Sequence, residues 1–182
     1  MRALAITQNI TLDGRVEMLD DWFDPTAQPP DLLAELHRQD ATCDAVLLGR
    51  RTFEDFRGYW PEQREDATGI TDQLDAVTKY VVSATLAEPG WRNSVVLRDD
   101  PMAAVAALKT QPGGDIVATG SISLCHALIG AGLVDEYRLF VHPAVQGRGR
   151  GLFPDGHAVP RLELLGALTF ANGVIGTRHR PR

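Results

Sequence analysis

The sequence contains little cysteine, little lysine and no long apolar run. Its two cysteines among 182 residues, Cys43 and Cys125, are too few and too far apart for a disulfide framework or a zinc site. No stretch approaches the roughly 20 apolar residues of a membrane span, and the N-terminus lacks the apolar core of a signal peptide. These absences predict a cytoplasmic protein without a membrane segment.

Positive charge is scarce and comes almost entirely from arginine. The chain has 18 basic and 24 acidic residues, a net charge of −6, and only Lys79 and Lys109 are lysines. Residues 1–100 hold 10 basic and 19 acidic side chains, whereas residues 101–182 hold 8 and 5. Nucleic-acid binding requires a basic surface that neutralises phosphates, so this chain is a poor candidate for it. We expect a small-molecule partner, with individual arginines available as anion ligands.

Short apolar segments alternate with segments of helical periodicity along the chain. This alternation predicts an α/β fold with a mostly parallel sheet that carries helices on both faces. The turn signal Asn172-Gly173 predicts a C-terminal hairpin that adds an antiparallel edge. No linker or shift in composition divides the chain, so we expect residues 1–182 to form a single domain. The predicted strands span 3–6, 45–48, 79–83, 94–97, 115–119, 134–141, 161–170 and 174–178, and the predicted helices 31–37, 101–108 and 122–129.

The segment that follows the 45–48 strand is the strongest local signal. Gly49 comes directly after the strand, and Arg50, Arg51 and Thr52 begin a short helix. Glycine lets the backbone approach a ligand, a helix N-terminus offers free N–H groups, and arginine can bind phosphate through two hydrogen bonds. The segment therefore indicates an anion site, although a tight turn with solvated arginines fits the same residues.

A second junction of the same kind follows the 115–119 strand. Gly120, Ser121 and Ile122 begin the next helix, and Ser83 supplies a further hydroxyl at the end of the 79–83 strand. Junctions at the carboxyl ends of parallel strands can flank a crevice, which is where open α/β sheets bind ligands. For Ser83, a role as a cap at the end of the strand fits equally well.

Few residues are candidates for acid–base chemistry. Asp31 follows two prolines at a helix start, where it either caps the helix or faces the cleft and orients or protonates a substrate. The long acidic loop 15–30 carries Trp22, and we place Trp22 and Asp13 at the substrate cleft, although Asp13 also fits a simple turn. The five histidines lack metal-ligand spacing, which predicts no metal. The 147–151 loop lacks the G-x-G-x-x-G pattern and is expected to be a flexible loop that offers basic contacts to an anion.

Taken in order, these segments resemble the dihydrofolate-reductase-like superfamily, in the branch that contains the reductase domain of bacterial riboflavin biosynthesis. The motifs that carry the resemblance are TLDG (11–14), LGRRTF (48–53), KYVVS (79–83), ATGS (118–121), GLVDE (132–136) and GRGRGLF (147–153). The resemblance covers about residues 2–180 and implies a three-layer fold with a sheet of about eight strands. The zinc signature of the deaminase domain that accompanies this reductase in the two-domain riboflavin enzyme is missing from this sequence.

The resemblance also implies a cofactor and roles for individual residues. NADPH would lie across the carboxyl edge of the sheet. Gly49, Arg50, Arg51 and Thr52 would hold its phosphates, with Arg50 or Arg51 facing the 2′-phosphate. Ser83 would lie near the adenosine, and Asp31 would correspond to the acid that orients the pterin in dihydrofolate reductases. The residues implied for the pyrophosphate turn are Gly120, Ser121 and Ile122.

Together, these observations predict an NADPH-dependent reductase that transfers hydride to a C=N or C=O bond of a small heterocyclic or carbonyl substrate, pterin-like or pyrimidine-like. The alternative is an NADP(H)-binding regulatory or resistance module without turnover. A phosphate-binding hydrolase is a weaker third interpretation. By analogy with the family, we also expect a homodimer.

Overall fold

Eight apolar segments form one continuous sheet in the computed structural model, which describes residues 1–25, 27–63, 65–159 and 161–182. Five α-helices and the short 3-10 helix Trp60–Glu62 connect the strands within these ranges. The strands are β1 (Leu4–Thr11), β2 (Cys43–Gly49), β3 (Thr78–Val82), β4 (Ser94–Leu97), β5 (Asp115–Ala118), β6 (Glu136–His142), β7 (Leu162–Thr169) and β8 (Ile175–Pro181). The helices are α1 (Pro30–Asp40), α2 (Arg50–Tyr59), α3 (Ile70–Ala76), α4 (Pro101–Thr110) and α5 (Ile122–Gly130).

The strand order in the sheet is β4-β3-β2-β5-β1-β6-β8-β7. The first six of these strands are parallel, because helices or long loops return the chain to the amino edge before each new strand begins. β8 pairs antiparallel with β6 and with β7, which forms the outer edge. This topology confirms the predicted α/β class, the eight strands and the antiparallel C-terminal hairpin.

Helices cover both faces of the sheet and form three apolar clusters with it. On one face, α4 and α5 pack on the central strands, and on the other, α2 and α3 pack on β2 and β3. On this second face, α1 covers β6 through Leu32, which packs against Phe140. Residues at the centre of the largest cluster are fully buried, among them Leu4, Ile6, Leu47, Ile116 and Leu128.

Most predicted elements are confirmed with shifted ends, and one helix was not predicted. β1 continues to Thr11, five residues beyond the predicted strand, because every residue from Ala5 to Thr11 pairs with β6. The unpredicted helix α3 is short and follows a polar segment, so its apolar pattern is weak. Its end is held by Lys79, a fully buried lysine whose Nζ donates to the carbonyls of Leu74 (2.5 Å) and Val77 (3.1 Å).

The parallel topology places the carboxyl ends of six strands, β1 to β6, at one edge of the sheet. The starts of α2 and α5 lie at this edge, as do the loop after β1 and the loop after β6. Within the described residues, no helix is long and apolar enough to cross a membrane.

Candidate functional site

The starts of α2 and α5 lie side by side, joined by a reciprocal pair of hydrogen bonds. The Gly49 N–H donates to Ser121 Oγ at 2.8 Å, and the Ser121 N–H donates to Thr52 Oγ1 at 3.2 Å. A hydroxyl group at the start of each helix thus accepts a hydrogen bond from a backbone N–H at the start of the other. The structure therefore brings together the two junctions that the sequence singled out, which are separated by about 70 residues along the chain.

Gly120 lies where this contact is tightest. Its φ is +65°, a left-handed conformation that L side chains rarely adopt, and a Cβ at this position would lie 2.7 Å from Thr52 Cγ2. Its carbonyl accepts a hydrogen bond from Gln8 Nε2 at 3.0 Å, which fixes the turn to β1. The close approach of α2 and α5 thus depends on glycine at position 120.

The beginning of α2 has the features of an anion site. Within the described chain, no side chain caps this helix, so its first N–H groups are available to a ligand. Arg51 is exposed and has no hydrogen-bond or ion-pair partner among the described residues. Arg50 differs, because its guanidinium pairs with Glu54 one turn later at 3.0 Å. Of the two arginines, Arg51 is the one free to meet a phosphate.

Ser83 and Ile122 complete the predicted cofactor residues at this edge. Ser83 is buried at the end of β3, and its Oγ accepts hydrogen bonds from the N–H groups of Thr85 (3.2 Å) and Leu86 (2.9 Å). This geometry matches the capping role that the sequence left open for it. Ile122, the first residue of α5, packs against the largest apolar cluster and anchors the start of the helix.

Asp13 connects the loop after β1 with the loop after β6. Its carboxylate accepts hydrogen bonds from Thr11 Oγ1 (2.5 Å), the Gln146 N–H (3.1 Å) and the Gly147 N–H (2.9 Å). The Thr11 hydroxyl, followed by the two backbone groups, holds the pKa of Asp13 well below its usual value. Asp13 is therefore ionised at neutral pH, and its hydrogen bonds hold the two loops together at the rim of the site.

Two ion pairs continue this contact between the loops. Glu17 pairs with Arg150 at 2.7 Å, and Asp20 pairs with Arg148 at 2.5 Å. The acidic loop after β1 is thus matched by the basic loop after β6. Because both arginines are paired, the 147–151 loop does not offer the open basic contacts that the sequence suggested.

Trp22 lies at the same rim, next to a buried histidine at the end of β6. Its Nε1 donates to Gln146 Oε1 at 2.9 Å, and its ring meets His142 edge-on with centroids 5.2 Å apart. His142 is 5% exposed, and its Nε2 lies 3.0 Å from Asn9 Oδ1. Burial lowers the pKa of His142.

The central strands β1 and β5 form an open floor next to these groups. Ile6 pairs in register with Ala118, and both are fully buried on the face covered by α4 and α5. Side chains alternate along a strand, so the intervening residues point to the opposite face. These residues are only partly buried, although central strands of α/β sheets are usually covered on both faces. They are Thr7, Asn9, Val117 and Thr119.

Helices α1 and α2 border this floor on its two sides. Leu32 of α1 packs on Phe140 of β6, the strand next to β1. Phe53 of α2 packs with Val46 of β2, the strand next to β5. A cleft with a mostly polar floor therefore runs between α1 and α2, and we call it the central cleft. It opens at the same sheet edge as the starts of α2 and α5.

Asp31 lies in the first turn of α1 at this edge, but the cap position belongs to Pro29. The interpretation of Asp31 as the N-cap is therefore wrong, since proline at the cap leaves the aspartate inside the helix. Its side chain is exposed, and its two oxygens accept hydrogen bonds from the N–H groups of Leu32 and Ala171, both at 2.9 Å. Asp31 thereby ties α1 to the β7–β8 hairpin.

Asn9, His142 and Gln146 are the site residues that sequence reasoning missed. The contact between Asn9 and His142 joins residues 133 positions apart, which no local pattern reveals. The useful signal is a polar segment within an otherwise apolar strand, since Thr7, Gln8 and Asn9 lie between Ile6 and Ile10 in β1. Among the described residues, no three His, Cys, Asp or Glu side chains are grouped so that they could hold a metal ion.

The eight-stranded sheet, with a ligand cleft and two helix starts at its carboxyl edge, defines an α/β domain of the dihydrofolate-reductase-like class. The model of the RibD C-terminal domain matches residues 2–176, so this chain belongs to the RibD C-terminal domain family.

Known relatives share this fold over their whole length or part of it. "Uncharacterized protein YyaP" of Bacillus subtilis (strain 168) is 32% identical over 181 residues, covering 96% of this chain and 92% of that protein. A pyrimidine reductase-like protein from Corynebacterium diphtheriae superposes with a TM-score of 0.71 at 16% identity, covering 100% of this chain and 92% of that one.

A third relative is a Thermotoga maritima protein named diaminohydroxyphosphoribosylaminopyrimidine deaminase/5-amino-6-(5-phosphoribosylamino)uracil reductase. It superposes with a TM-score of 0.67 at 16% identity, covering 100% of this chain and 57% of that one. This chain therefore spans little more than half the length of the Thermotoga protein. At this level of identity, the superposition establishes a shared fold.

Proposed function

We propose that this chain is an NADPH-dependent reductase that transfers hydride to a small pyrimidine-type or related heterocyclic substrate. The observation that carries the proposal is the junction of α2 and α5, where uncapped helix N–H groups lie beside the free Arg51 at the mouth of the central cleft. Membership in the RibD C-terminal domain family supports a reductase. The name of the Thermotoga relative makes 5-amino-6-(5-phosphoribosylamino)uracil the first substrate to test.

The residues at this junction fit a dinucleotide phosphate. Because Gly120 has no side chain, its backbone can lie against Thr52, where a Cβ would clash, and remains accessible to a phosphate. The N–H groups at the start of α2 lack a side-chain cap within the described residues. We assign the diphosphate to Gly49, Thr52, Gly120, Ser121 and Ile122, the 2′-phosphate to Arg51 with support from Arg50, and the adenosine side to Ser83. When bound, NADPH supplies the hydride.

The chain itself contributes orientation and the exclusion of water. Asp13 holds the loops after β1 and β6 together, and the pairs Glu17–Arg150 and Asp20–Arg148 extend that contact along the rim. We propose that this double loop closes over the central cleft and shields the reacting atoms from solvent. Trp22, fixed through Gln146, would form its apolar lining.

The polar floor of the central cleft would receive the heterocycle. Thr7 and Thr119 offer hydroxyl groups that lack a recorded partner in the described part of the chain, and Asn9 offers a carboxamide. We propose that Asp31 orients the substrate or supplies the proton that accompanies the hydride. Each oxygen of Asp31 accepts one backbone N–H and keeps a further lone pair, so a substrate could hydrogen-bond to Asp31 while the Ala171 contact persists, or water would deliver the proton.

The same engagement of Asp31 favours the second candidate, an NADP(H)-binding module without turnover. The N–H groups of Leu32 and Ala171 hold the carboxylate as a tie between α1 and the β7–β8 hairpin, a position that suits a structural contact better than a proton donor in the cleft. In such a module, the cofactor site would be intact and the cleft would bind a ligand without reducing it.

Purified protein mixed with NADPH and 5-amino-6-(5-phosphoribosylamino)uracil tests the proposal, with nicotinamide oxidation followed by absorbance. We expect substrate-dependent oxidation of NADPH and much slower oxidation of NADH. Dihydrofolate and small carbonyl compounds serve as comparison substrates. Tight NADPH binding without turnover on any of them would favour the binding module, and the absence of nicotinamide binding would refute both candidates.

We also propose that the chain forms a homodimer through β7. This strand is one of the two edge strands of the sheet, and its side chains Leu164, Leu165 and Leu168 are 57%, 40% and 49% exposed. An exposed apolar edge strand is a pairing surface that monomeric proteins normally block. A second copy of the chain would cover it by edge-to-edge pairing.

A further inference from the structure

The imidazole of His142 is placed to control a neighbouring side chain rather than to react. Its ring is almost completely buried between Trp22 and Phe23, whose ring centroids lie 5.2 and 5.5 Å away, both edge-on. The polar contact recorded for its Nε2 is Asn9 Oδ1, at 3.0 Å. The histidine therefore acts through Asn9, which lies on the floor of the central cleft.

The chemistry of this contact fixes the orientation of the Asn9 carboxamide. An amide oxygen only accepts hydrogen bonds, so His142 Nε2 must carry the proton that it shares with Asn9 Oδ1. The amide nitrogen of Asn9 then points away from the histidine. In the described part of the chain this nitrogen has no hydrogen-bond partner, and Asn9 is only partly buried. Its two N–H groups are therefore available to a ligand in the cleft.

We infer that Asn9 is a specificity-determining residue that donates hydrogen bonds to a carbonyl oxygen on the substrate heterocycle, and that His142 is the positioning residue that fixes the orientation of the Asn9 carboxamide. This inference rests on the proposed function, because it concerns the ligand that enters the central cleft. It narrows the substrate class to planar heterocycles that present an acceptor to the floor, such as a uracil ring. A ligand that presents only amino groups would leave the two donors unpaired, which is costly in a partly dry site.

The experiment compares two pyrimidine probes on the NADPH-loaded protein, 5,6-diaminouracil and 2,4-diaminopyrimidine. The wild type is expected to bind the carbonyl-bearing probe about tenfold or more tightly than the other. Asn9→Asp replaces the donors with a carboxylate and should reverse this preference, and Asn9→Ser, a smaller change in case the aspartate variant folds poorly, should abolish it. Affinity for NADPH, measured in parallel, should change less than twofold in either variant.

His142→Phe distinguishes the hydrogen bond from His142 to Asn9 from the packing of the ring against Trp22 and Phe23. Phenylalanine keeps the apolar contact with Trp22 and Phe23 but leaves the Asn9 carboxamide free to turn, so the preference for the carbonyl probe should fall severalfold with NADPH affinity unchanged. His157→Phe is the matched control, since His157 is exposed, and it should behave like the wild type.

The possible failures are distinguishable. If the wild type does not bind NADPH, the proposed function fails. If it binds NADPH but neither pyrimidine, or if Asn9→Asp and Asn9→Ser keep the wild-type preference, the assignment of Asn9 is overturned while a nicotinamide-binding function stands. An unchanged preference in His142→Phe would overturn the positioning role of the histidine.

Discussion

Gly120→Ala tests whether the close packing of α2 against α5 is necessary for stability and cofactor binding. Two costs arise at this position. A side chain at a φ of +65° costs about 1–2 kcal/mol, and a Cβ 2.7 Å from Thr52 Cγ2 forces a local shift that adds about 1–3 kcal/mol. The expected loss is about 2–5 kcal/mol of unfolding free energy, which a domain with a typical stability of about 5–15 kcal/mol can lose and remain folded.

A double-mutant cycle with Thr52→Ser separates the two costs. Serine lacks the Cγ2 methyl group but keeps the hydroxyl that accepts the Ser121 N–H. The double variant should therefore recover about 1–2 kcal/mol of the loss, while the cost of the left-handed backbone remains. Gly130→Ala is the matched control, because a Cβ there meets nothing within 4 Å, and its stability should equal or slightly exceed that of the wild type.

Urea unfolding gives the free energies, and titration with NADPH gives the affinity. Displacing the start of α5 should weaken NADPH binding by about tenfold, or 1.4 kcal/mol, and the double variant should regain part of that affinity. The reasoning is refuted if Gly120→Ala unfolds within about 0.5 kcal/mol of the wild type, or if Thr52→Ser restores nothing.

Three further predictions concern the arginines, the rim and the sheet edge. In a binding titration, Arg51→Ala should lower the affinity for NADPH by about tenfold and the affinity for NADH very little. Arg50→Ala should lower the affinity for NADPH less, because Arg50 already pairs with Glu54. The pKa of Asp13 is lowered in the folded state, so Asp13 stabilises the fold at a pH above 3.8, the ordinary pKa of an aspartate, and this contribution is lost as the pH falls below that value. Acid unfolding of Asp13→Asn should therefore depend less on pH than acid unfolding of the wild type. Leu168→Lys should convert the dimer to a monomer in light-scattering measurements without lowering NADPH affinity.

Each of these predictions has a result that would contradict it. Equal losses of NADPH and NADH affinity in Arg51→Ala would refute the assignment of Arg51 to the 2′-phosphate. An unchanged acid-unfolding profile in Asp13→Asn would mean that the rim contributes nothing to pH-dependent stability. A wild-type chain that is monomeric at all concentrations, or a Leu168→Lys variant that stays dimeric, would exclude β7 as the interface.

The sequence was sufficient to predict the sheet and the position of both helix starts at its carboxyl edge. Buried parallel strands have continuous apolar runs, and their carboxyl ends meet at one edge, which is why the sequence predicts residues 49–52 and 120–122 at that edge. The glycine at position 120 marked a backbone constraint, which the structure identifies as a left-handed turn against Thr52.

The rim and the floor of the cleft could not be predicted in the same way. The pairs Glu17–Arg150 and Asp20–Arg148, and the contact between Asn9 and His142, join segments more than 120 residues apart. Their partners are chosen by the register of β1 against β6, which depends on the whole sheet. The surroundings of Asp31 could not be predicted either, since the preceding prolines shift the cap to Pro29 and the hairpin then supplies an N–H from Ala171.

A crystal structure of the chain with NADPH bound is the most direct test of the central claim. We predict that the diphosphate contacts the backbone at residues 49–52 and 120–122, that Arg51 contacts the 2′-phosphate, and that the nicotinamide faces the cleft floor beside Thr119. A dinucleotide bound at another edge of the sheet, or no binding at millimolar NADPH, would contradict the account.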